Sequence, residues 1–435
     1  MSGDEASYVS ALERLSRALT FGINPSLDGI RELTGALGCP ERECSCVQVT
    51  GTNGKTSVTR MVGAILTAHG YRTGVYTSPH LVSYTERITI DGEPLSERAF
   101  AAVLGDVFEA ADSLDREFTE FELLTAAALH AFRLNEVEFA CLEVGMGGRW
   151  DATSVVDPVV AVITGVALDH TDRLGTTREE IAADKAHIIK ARCFPILGPG
   201  CEGVEHIFEE RVRSLGLSVI ARVGLRECDD ITWRIVRCPR TPGGTLTVDI
   251  AGMRDYRVTI HAPAYQAANV ALAMAAAGAA IFNVLDPAAV DTALRTMTFP
   301  GRFELLRREP PLVLDGAHNP DAAAVLSSAI RDSFRGGLPV IVLGVLADKD
   351  VEGIVRALAD TASGFIATEN GSSRCLPADE LAAVVERVTG RTTLAVPVLR
   401  EALAIARERG GEGGVVVTGS LHTVGAVKAL GHDIP

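Results

Sequence analysis

The stretch VTGTNGKTS, Val49 to Ser57, decides how the rest of the chain is read. It closes the apolar run CVQVT and leads into SVTRMVGAILTAHG, whose apolar positions recur with a helical period and stop at Gly70. A strand, a glycine loop ending in Lys-Thr, and then a helix is the setting of a phosphate-binding loop. Backbone N–H groups at the helix start face the anion, Lys55 adds a mobile positive charge, and a hydroxyl can reach Mg²⁺. The full pattern G-x-x-x-x-G-K-[ST] needs glycine where Val49 stands, so the chain offers only Gly51-Thr52-Asn53-Gly54-Lys55-Thr56. The bland alternative is a tight turn whose two glycines serve packing alone.

Outward from the loop, strand and helix patterns alternate. RTGVYTSP reads as a short strand, and SERAFAAVLGDVFEAADSL as a helix opened by Ser96 in a capping position. FELLTAAALHAFRL is a second helix. EFACLEVG and PVVAVITGVA are unbroken apolar runs, the pattern of strands covered on both faces. This is an α/β chain with a mostly parallel sheet. Between about Arg222 and Ile260, ITWRIVRC, GGTLTVDI and YRVTI are separated by turn residues and predict a small antiparallel patch.

Ala267 to Leu285 is long and apolar, but it is rich in alanine and holds Asn269 and Asn283, so a buried helix is expected rather than a membrane span. FPGRFELLRREPP, Phe299 to Pro311, has the Pro, Gly and charge of an interdomain connection. A second α/β series follows in PLVLDGAHNP, LPVIVLGVLADKD, SGFIATEN and GGVVVTGSLHTVG. The expected domains are 1–297, carrying the phosphate loop, and 298–435, a smaller Rossmann-like unit.

The chain of 435 residues is too long for one ordinary core. Its net charge of −15 argues against a nucleic-acid or acidic-membrane surface, though not against one small anion held by a local loop. Nine scattered cysteines, with a lone CxC at Cys44 and Cys46 and no CxxC, suit thiols in a reducing cytoplasm rather than a zinc site. MSGDEASYVS lacks a basic start and an apolar core, so no signal peptide is expected. A cytoplasmic protein follows.

If nucleotide and metal bind at the loop, ligands should lie at other strand ends of the same sheet. Glu143 ends EFACLEV before the flexible Gly145-Met146-Gly147-Gly148, and Asp169-His170 end PVVAVITGVA. Ser78, in TSPHL, follows the strand that comes next after the loop and its helix. Taken singly, Glu143 is equally a capping carboxylate, His170 a structural histidine, and Ser-Pro common turn punctuation. Together with the loop they favour metal ligation.

These stretches carry a resemblance. FGINPSLDGIRELTGALG, VTGTNGKTS, YTSPHLVSYTERI, EFTEFELLTAAALHAF, LEVGMGGRWDATS, ITGVALDHTDRLGTT, IAADKAHIIK, FPGRFE, LDGAHNP and VTGSLHTVG resemble, in order and spacing, the folylpolyglutamate synthase and dihydrofolate synthase family within the Mur ligase superfamily. The resemblance implies a Mur-ligase-like ATP-binding domain followed by a Rossmann-like glutamate-ligase domain. It implies that Gly51, Thr52, Asn53, Gly54, Lys55, Thr56 and Ser57 form a shortened ATP phosphate loop, which accounts for Val49. Ser78, Glu143, His170 and Thr56 would hold Mg²⁺. Lys185 would be N6-carboxylated and help bind a second Mg²⁺, although the residues alone would pass it as an ordinary salt-bridging lysine.

Asn269, Arg302 and Asp315 would contact the nucleotide, and His318 would lie close to the incoming amino acid. Lys55, Lys185 and His318 would serve catalysis. Arg87, Thr119, Phe121, Glu122 and Asp151 would line the pterin-bearing substrate, and Ser420 would contact glutamate. Three positions depart from the family's habit: Thr56 in GKTS, Ser154 in DATS, and Tyr265 before Gln266.

The implied reaction is ADP-forming. ATP phosphorylates a carboxylate, and the glutamate amine displaces phosphate from the acyl phosphate, with one domain holding ATP and acceptor and the other bringing glutamate. The partners would be small molecules only, dihydropteroate or a reduced folate, L-glutamate and ATP, acting on a monomer. The competing readings are a Mur-type ligase on a peptidoglycan precursor, against which stands a phosphate loop only about fifty residues from the start, and a regulatory P-loop NTPase that ligates nothing.

Overall fold

The computed structural model describes residues 3–18, 25–431 and 434. The chain forms two compact units, 1–233 with 250–256 and 268–294, and 234–249 with 257–267 and 295–435. Phe21 to Asn24, the start of the FGIN motif, lie outside the described residues.

The first unit is built on strands β1 (Ser45–Thr50), β2 (Thr73–Tyr76), β3 (Ile88–Ile90), β4 (Glu93–Pro94), β5 (Phe139–Glu143), β6 (Val160–Gly165), β7 (Phe194–Gly200) and β8 (Ala221–Gly224). Strands β9 (Ile231–Arg237), β10 (Thr245–Ala251) and β11 (Tyr256–His261) follow, and the division between units runs through them. The sheet order is β11-β10-β9-β8-β7-β6-β1-β5-β2-β3-β4. β1 lies parallel between β5 and β6, with Val49 opposite Glu143 on one side and Val162 on the other. Five of six residues of β1 and all of β5 and β6 are buried, as unbroken apolar runs predict.

The helices in order are α1 (Gly3–Ala18), α2 (Asp28–Ala36), α3 (Lys55–Ala68), α4 (Glu97–Asp112), α5 (Glu120–Leu134), α6 (Thr171–Leu174), α7 (Arg178–Lys185), α8 (Glu205–Ser214) and α9 (Gln266–Ala280). Ser96 Oγ accepts the Ala99 N–H at 3.2 Å and opens α4 as its cap. A core of α1, α2, α4 and α5 side chains, including Leu15, Ile30, Leu104 and Phe132, covers one face of the sheet. Helix α5 approaches β2 so closely that a Cβ on Gly74 would collide with the Phe132 ring.

Helix α9 is buried through Val270, Ala271, Ala273, Ala276 and Ala277, but it stops short of the expected span. Phe282 takes a left-handed backbone (φ 49°), the Asn283 N–H returns to Gly278 O, and Phe282 projects outward. No helix among the described residues is long and apolar enough to cross a membrane.

The second unit carries a six-stranded sheet of β12 (Glu304–Arg308), β13 (Pro311–Leu314), β14 (Val340–Leu343), β15 (Gly364–Ala367), β16 (Leu394–Ala395) and β17 (Val415–Thr418), ordered β12-β13-β17-β14-β15-β16. All pairs are parallel except β12 with β13. The segment expected as a connection is therefore partly strand: Glu304 to Arg308 form β12. Its charge reflects an edge strand with half-exposed side chains, a position where polar residues are tolerated.

Candidate active site

The loop after β1 begins at a glycine that the geometry requires. Gly51 has φ 147°, and a Cβ there would collide with Thr164 Oγ1. The loop is then sewn to the end of β6. The Thr52 N–H donates to Gly165 O at 2.9 Å. Thr52 Oγ1 donates to Ala167 O at 3.1 Å and accepts the Ala167 N–H at 3.0 Å. Thr164 Oγ1 donates to Asn53 O at 2.6 Å.

Gly54, also left-handed, opens α3, whose first N–H groups have no earlier helical carbonyl to bind. Lys55 Nζ folds back onto Gly51 O at 2.9 Å and Thr52 O at 3.2 Å. Asn269, far along the sequence, sits with its Oδ1 2.7 Å from where a Gly54 Cβ would stand.

Because β1, β5 and β2 are neighbours, the segments beyond their carboxyl ends bring Thr56, Glu143 and the Ser78 backbone together. Glu143 is buried, its Oε1 accepting the Thr56 hydroxyl at 2.8 Å and its Oε2 accepting the Ser78 N–H at 3.1 Å. Thr56 is thus the residue that joins the loop to the acid. Ser57 is buried.

His170 lies further from its strand than expected, since β6 ends at Gly165 and the stretch 166–169 intervenes. The strand stops where Gly165 and Gly200 crowd each other across the β6–β7 register shift. His170 caps the short α6 with a left-handed backbone, its side chain is exposed, and its N–H donates to Asp169 Oδ1 at 2.9 Å.

Lys185 ends α7 and is 3% exposed. Burial pushes its ammonium down to about 7, the Lys55 charge pushes the same way, and Asp184 and Asp169 only partly oppose them. Among the described residues no three His, Cys, Asp or Glu side chains converge as a metal cluster.

The glycine loop after Glu143, expected to be flexible, is fastened on several sides. Thr50 Oγ1 donates to Gly147 O and Ser154 Oγ to Gly148 O, each at 2.6 Å. The Met146 N–H donates to Asp151 Oδ2 at 3.0 Å, and the Arg149 N–H to Asp184 Oδ1 at 3.3 Å. Gln48 Nε2 reaches Thr153 Oγ1 and Ser154 Oγ from beneath at 3.0 and 3.1 Å. Ser154 therefore works inside the fold. Asp151 caps the following turn through the Thr153 N–H, and burial raises its carboxyl above the ordinary range against the pull of Thr153 and the loop N–H groups.

Gln48, Thr50 and Thr164 are site-building residues that the motif reading passed over. The signal was present, because two polar residues spaced by two interrupt the apolar strand CVQVT and so point to one polar face.

Among the residues expected near the acceptor, Arg87 Nε donates to His80 Nδ1 at 2.9 Å, and its guanidinium lies 5.1 Å from the Tyr84 ring centre and 3.9 Å from Glu120. Phe121 pairs with Tyr76 at 6.0 Å between ring centres and closes against Gly145. Thr119 and Glu122 form the capping box of α5: Thr119 Oγ1 accepts the Glu122 N–H, and Glu122 Oε2 accepts from the Thr119 N–H and hydroxyl.

In the second unit Asp315 is buried at the end of β13. It accepts the Ala317 N–H at 2.9 Å, the Phe303 N–H at 2.8 Å and the Tyr265 hydroxyl at 3.3 Å. Burial raises its carboxyl, and the neighbouring Arg302 guanidinium pulls it back. The Tyr265 hydroxyl thus helps to hold Asp315. Arg302 Nη1 donates to Gly301 O at 3.2 Å, and His318 Nδ1 donates to Gly316 O at 2.9 Å. Ser420 Oγ accepts the His422 N–H at 3.1 Å and caps the last helix, Leu421–Ala429.

Comparison with known proteins matches residues 49–193 to the Mur ligase middle domain and 301–421 to the Mur ligase glutamate ligase domain. A dihydrofolate synthase/folylpolyglutamate synthase of Mycobacterium tuberculosis is 36% identical over 442 residues, covering 94% of this chain and 90% of that protein. The Mycobacterium tuberculosis folylpolyglutamate synthase complexed with ADP and AMPPCP superposes with a TM-score of 0.89 at 35% identity, over 99% of this chain and 100% of that one. The bifunctional synthase of Yersinia pestis complexed with AMPPNP and Mn ion superposes at 0.84 with 29% identity, over 98% of each. The chain belongs to the folylpolyglutamate synthase/dihydrofolate synthase family of Mur ligases and is an ATP-dependent ligase that joins an acid to an amino acid.

Proposed function

We propose that this ligase adds L-glutamate to dihydropteroate and to the γ-carboxyl of reduced folates, through an acyl phosphate. The observation that carries the reading is the buried Glu143 carboxylate, tied at once to the phosphate loop through Thr56 and to Ser78 beyond β2. That arrangement sets an acid, a hydroxyl and the Lys55 ammonium around the place where a triphosphate reaches a helix start. The relatives named for folate glutamylation, and those complexed with adenine nucleotides and Mn ion, support the same substrates and a divalent metal.

In this reading Gly51 to Ser57 cradle the β- and γ-phosphates, with Asn269 beside Gly54 on the nucleotide. Oxygen donors are what Mg²⁺ takes, so Thr56, Ser78 and Glu143 suit it, with His170 completing the set. When bound, Mg²⁺ neutralises charge on the transferring phosphoryl group. Lys185, pushed down to about 7 by burial, is about half neutral amine at neutral pH. Such an amine attacks CO₂, forming an N–C bond and releasing a proton, and so becomes the carboxylate that a second Mg²⁺ would need.

The acceptor carboxylate attacks the γ-phosphorus and ADP leaves. The glutamate amine, having lost its proton, then attacks the acyl carbon, and phosphate departs as the C–O bond breaks. Lys55 and Arg302 offset the charge that develops. Arg87, Phe121 and Asp151 contact the pterin-bearing acceptor, while Thr119 and Glu122 act by fixing the start of α5. Asp315 and Arg302 serve the nucleotide, and His318 and Ser420 receive glutamate. Residues 1–297 form the ATP-binding domain and 298–435 the glutamate-ligase domain of a cytoplasmic monomer.

The test is ADP release by purified protein given dihydropteroate, tetrahydrofolate or a UDP-muramoyl acceptor, each with and without glutamate. Glutamate-dependent release with both pterin acceptors is expected. Release with the UDP-muramoyl acceptor alone, or release independent of glutamate, would overturn the reading.

A further inference from the structure

The phosphate loop and the loop that follows β6 are joined by two threonine hydroxyls. One hydroxyl, Thr52 Oγ1, satisfies both backbone groups of Ala167, donating to its carbonyl at 3.1 Å and accepting its N–H at 3.0 Å. The other, on the buried Thr164, donates to the Asn53 carbonyl at 2.6 Å. Because the peptide unit is planar and trans, tying the Asn53 carbonyl toward β6 turns the Gly54 N–H to the opposite side of the loop.

Ala167 lies three residues before His170, and Thr52 lies three before Lys55. The two loops cannot shift independently while Thr52 spans them, since parting would strip a donor and an acceptor from Ala167 together. A neighbouring clamp limits the remaining slack: Arg178 donates to Val166 O at 2.9 Å, Gly200 O at 3.2 Å and Glu202 O at 2.9 Å.

We infer that Thr52 and Thr164 are positioning residues that couple nucleotide binding to metal binding by fixing the phosphate loop against the Ala167–His170 loop. Thr52 does this through its hydroxyl, whatever its backbone contributes to the phosphates. The inference rests on the proposed reading of His170 as a metal ligand. By linkage, a contact that keeps both loops in one arrangement makes Mg²⁺ tighten ADP and ADP tighten Mg²⁺ by the same factor.

The experiment is calorimetric titration of the full-length protein with ADP, in EDTA and in Mg²⁺, for wild type, Thr52→Val, Thr52→Ser and Thr164→Val, with thermal unfolding of each. Wild type binds ADP more tightly with Mg²⁺. The two valine variants lose that enhancement by about five-fold or more, Thr52→Ser retains it, and melting temperatures stay close to wild type. An enhancement equal to wild type in both valine variants overturns the inference, as does a wild type that ligates glutamate yet binds ADP equally with and without Mg²⁺. If Thr52→Val does not fold, Thr164→Val decides by the same ratio. Absence of glutamate ligation by wild type overturns the functional reading instead, so the two failures are told apart.

Discussion

Lys185 offers a prediction whose size follows from its surroundings. An ammonium in water has an ordinary value of 10.5, and burial with the Lys55 charge brings Lys185 down to about 7 in the folded chain. Between these two values the unfolded chain binds one more proton than the folded chain, so stability rises with pH there; below about 7 the cost of burying the charge is present in full. From about pH 6.5 to about pH 8.5 the gain is about 2 kcal/mol, from about 1.4 kcal/mol per pH unit once the folded-state proton is lost.

Lys185→Met keeps the length and removes the charge, so its stability should lack this rise. The assay is urea unfolding of metal-free protein in buffers stripped of CO₂, at both pH values, for wild type and variant. The difference between the two pH responses should be about 2 kcal/mol, with wild type gaining more. Parallel responses, within about 0.5 kcal/mol, would refute the claim that burial brings Lys185 down to about 7. At a fixed Mg²⁺ concentration, restoring CO₂ should stabilise wild type alone.

Glu143→Gln keeps the shape and removes the charge between Thr56 and Ser78, so ligation should fall by a factor of about a hundred or more with a raised Mg²⁺ requirement, read as ADP release across a Mg²⁺ titration. Gly51→Ala forces a Cβ onto Thr164 Oγ1 in a left-handed backbone, and should cost about 1–3 kcal/mol and abolish tight ADP binding, measured by denaturation and calorimetry. Thr119→Ala removes the cap of α5 and should cost about 1 kcal/mol by denaturation, with a raised KM for the pterin acceptor and little change in KM for ATP. All nine cysteines are thiols; a thiol reagent should titrate nine after unfolding, and exposed Cys228 first in the native protein.

The fold was legible where local pattern and topology agree. Apolar runs of four to seven residues ending in glycine or an acid could be placed as parallel strands, and Val49 to Ser57 could be placed as the junction of a strand, a glycine loop and a helix. Less legible was what crosses the sequence. FPGRFELLRREPP looks like a linker because charge and proline mark both linkers and edge strands, and only the partner β13 distinguishes them. The glycine loop at 145–148 looked flexible because its anchors, Thr50, Ser154 and Asp184, stand elsewhere in the chain. Thr119 and Glu122 carry a capping-box spacing that the sequence displays openly, yet the motif drew attention to substrate instead. Lys185 reads as a surface helix residue until α7 is seen to end inside the fold.

The central claim is that ATP activates a folate-type carboxylate for attack by glutamate. Dihydropteroate labelled with heavy oxygen in its carboxylate, incubated with ATP, Mg²⁺ and glutamate, tests it directly. One labelled oxygen should appear in the released inorganic phosphate, together with a product heavier by one glutamyl residue. Unlabelled phosphate, or ADP formed without a glutamylated product, would contradict the account.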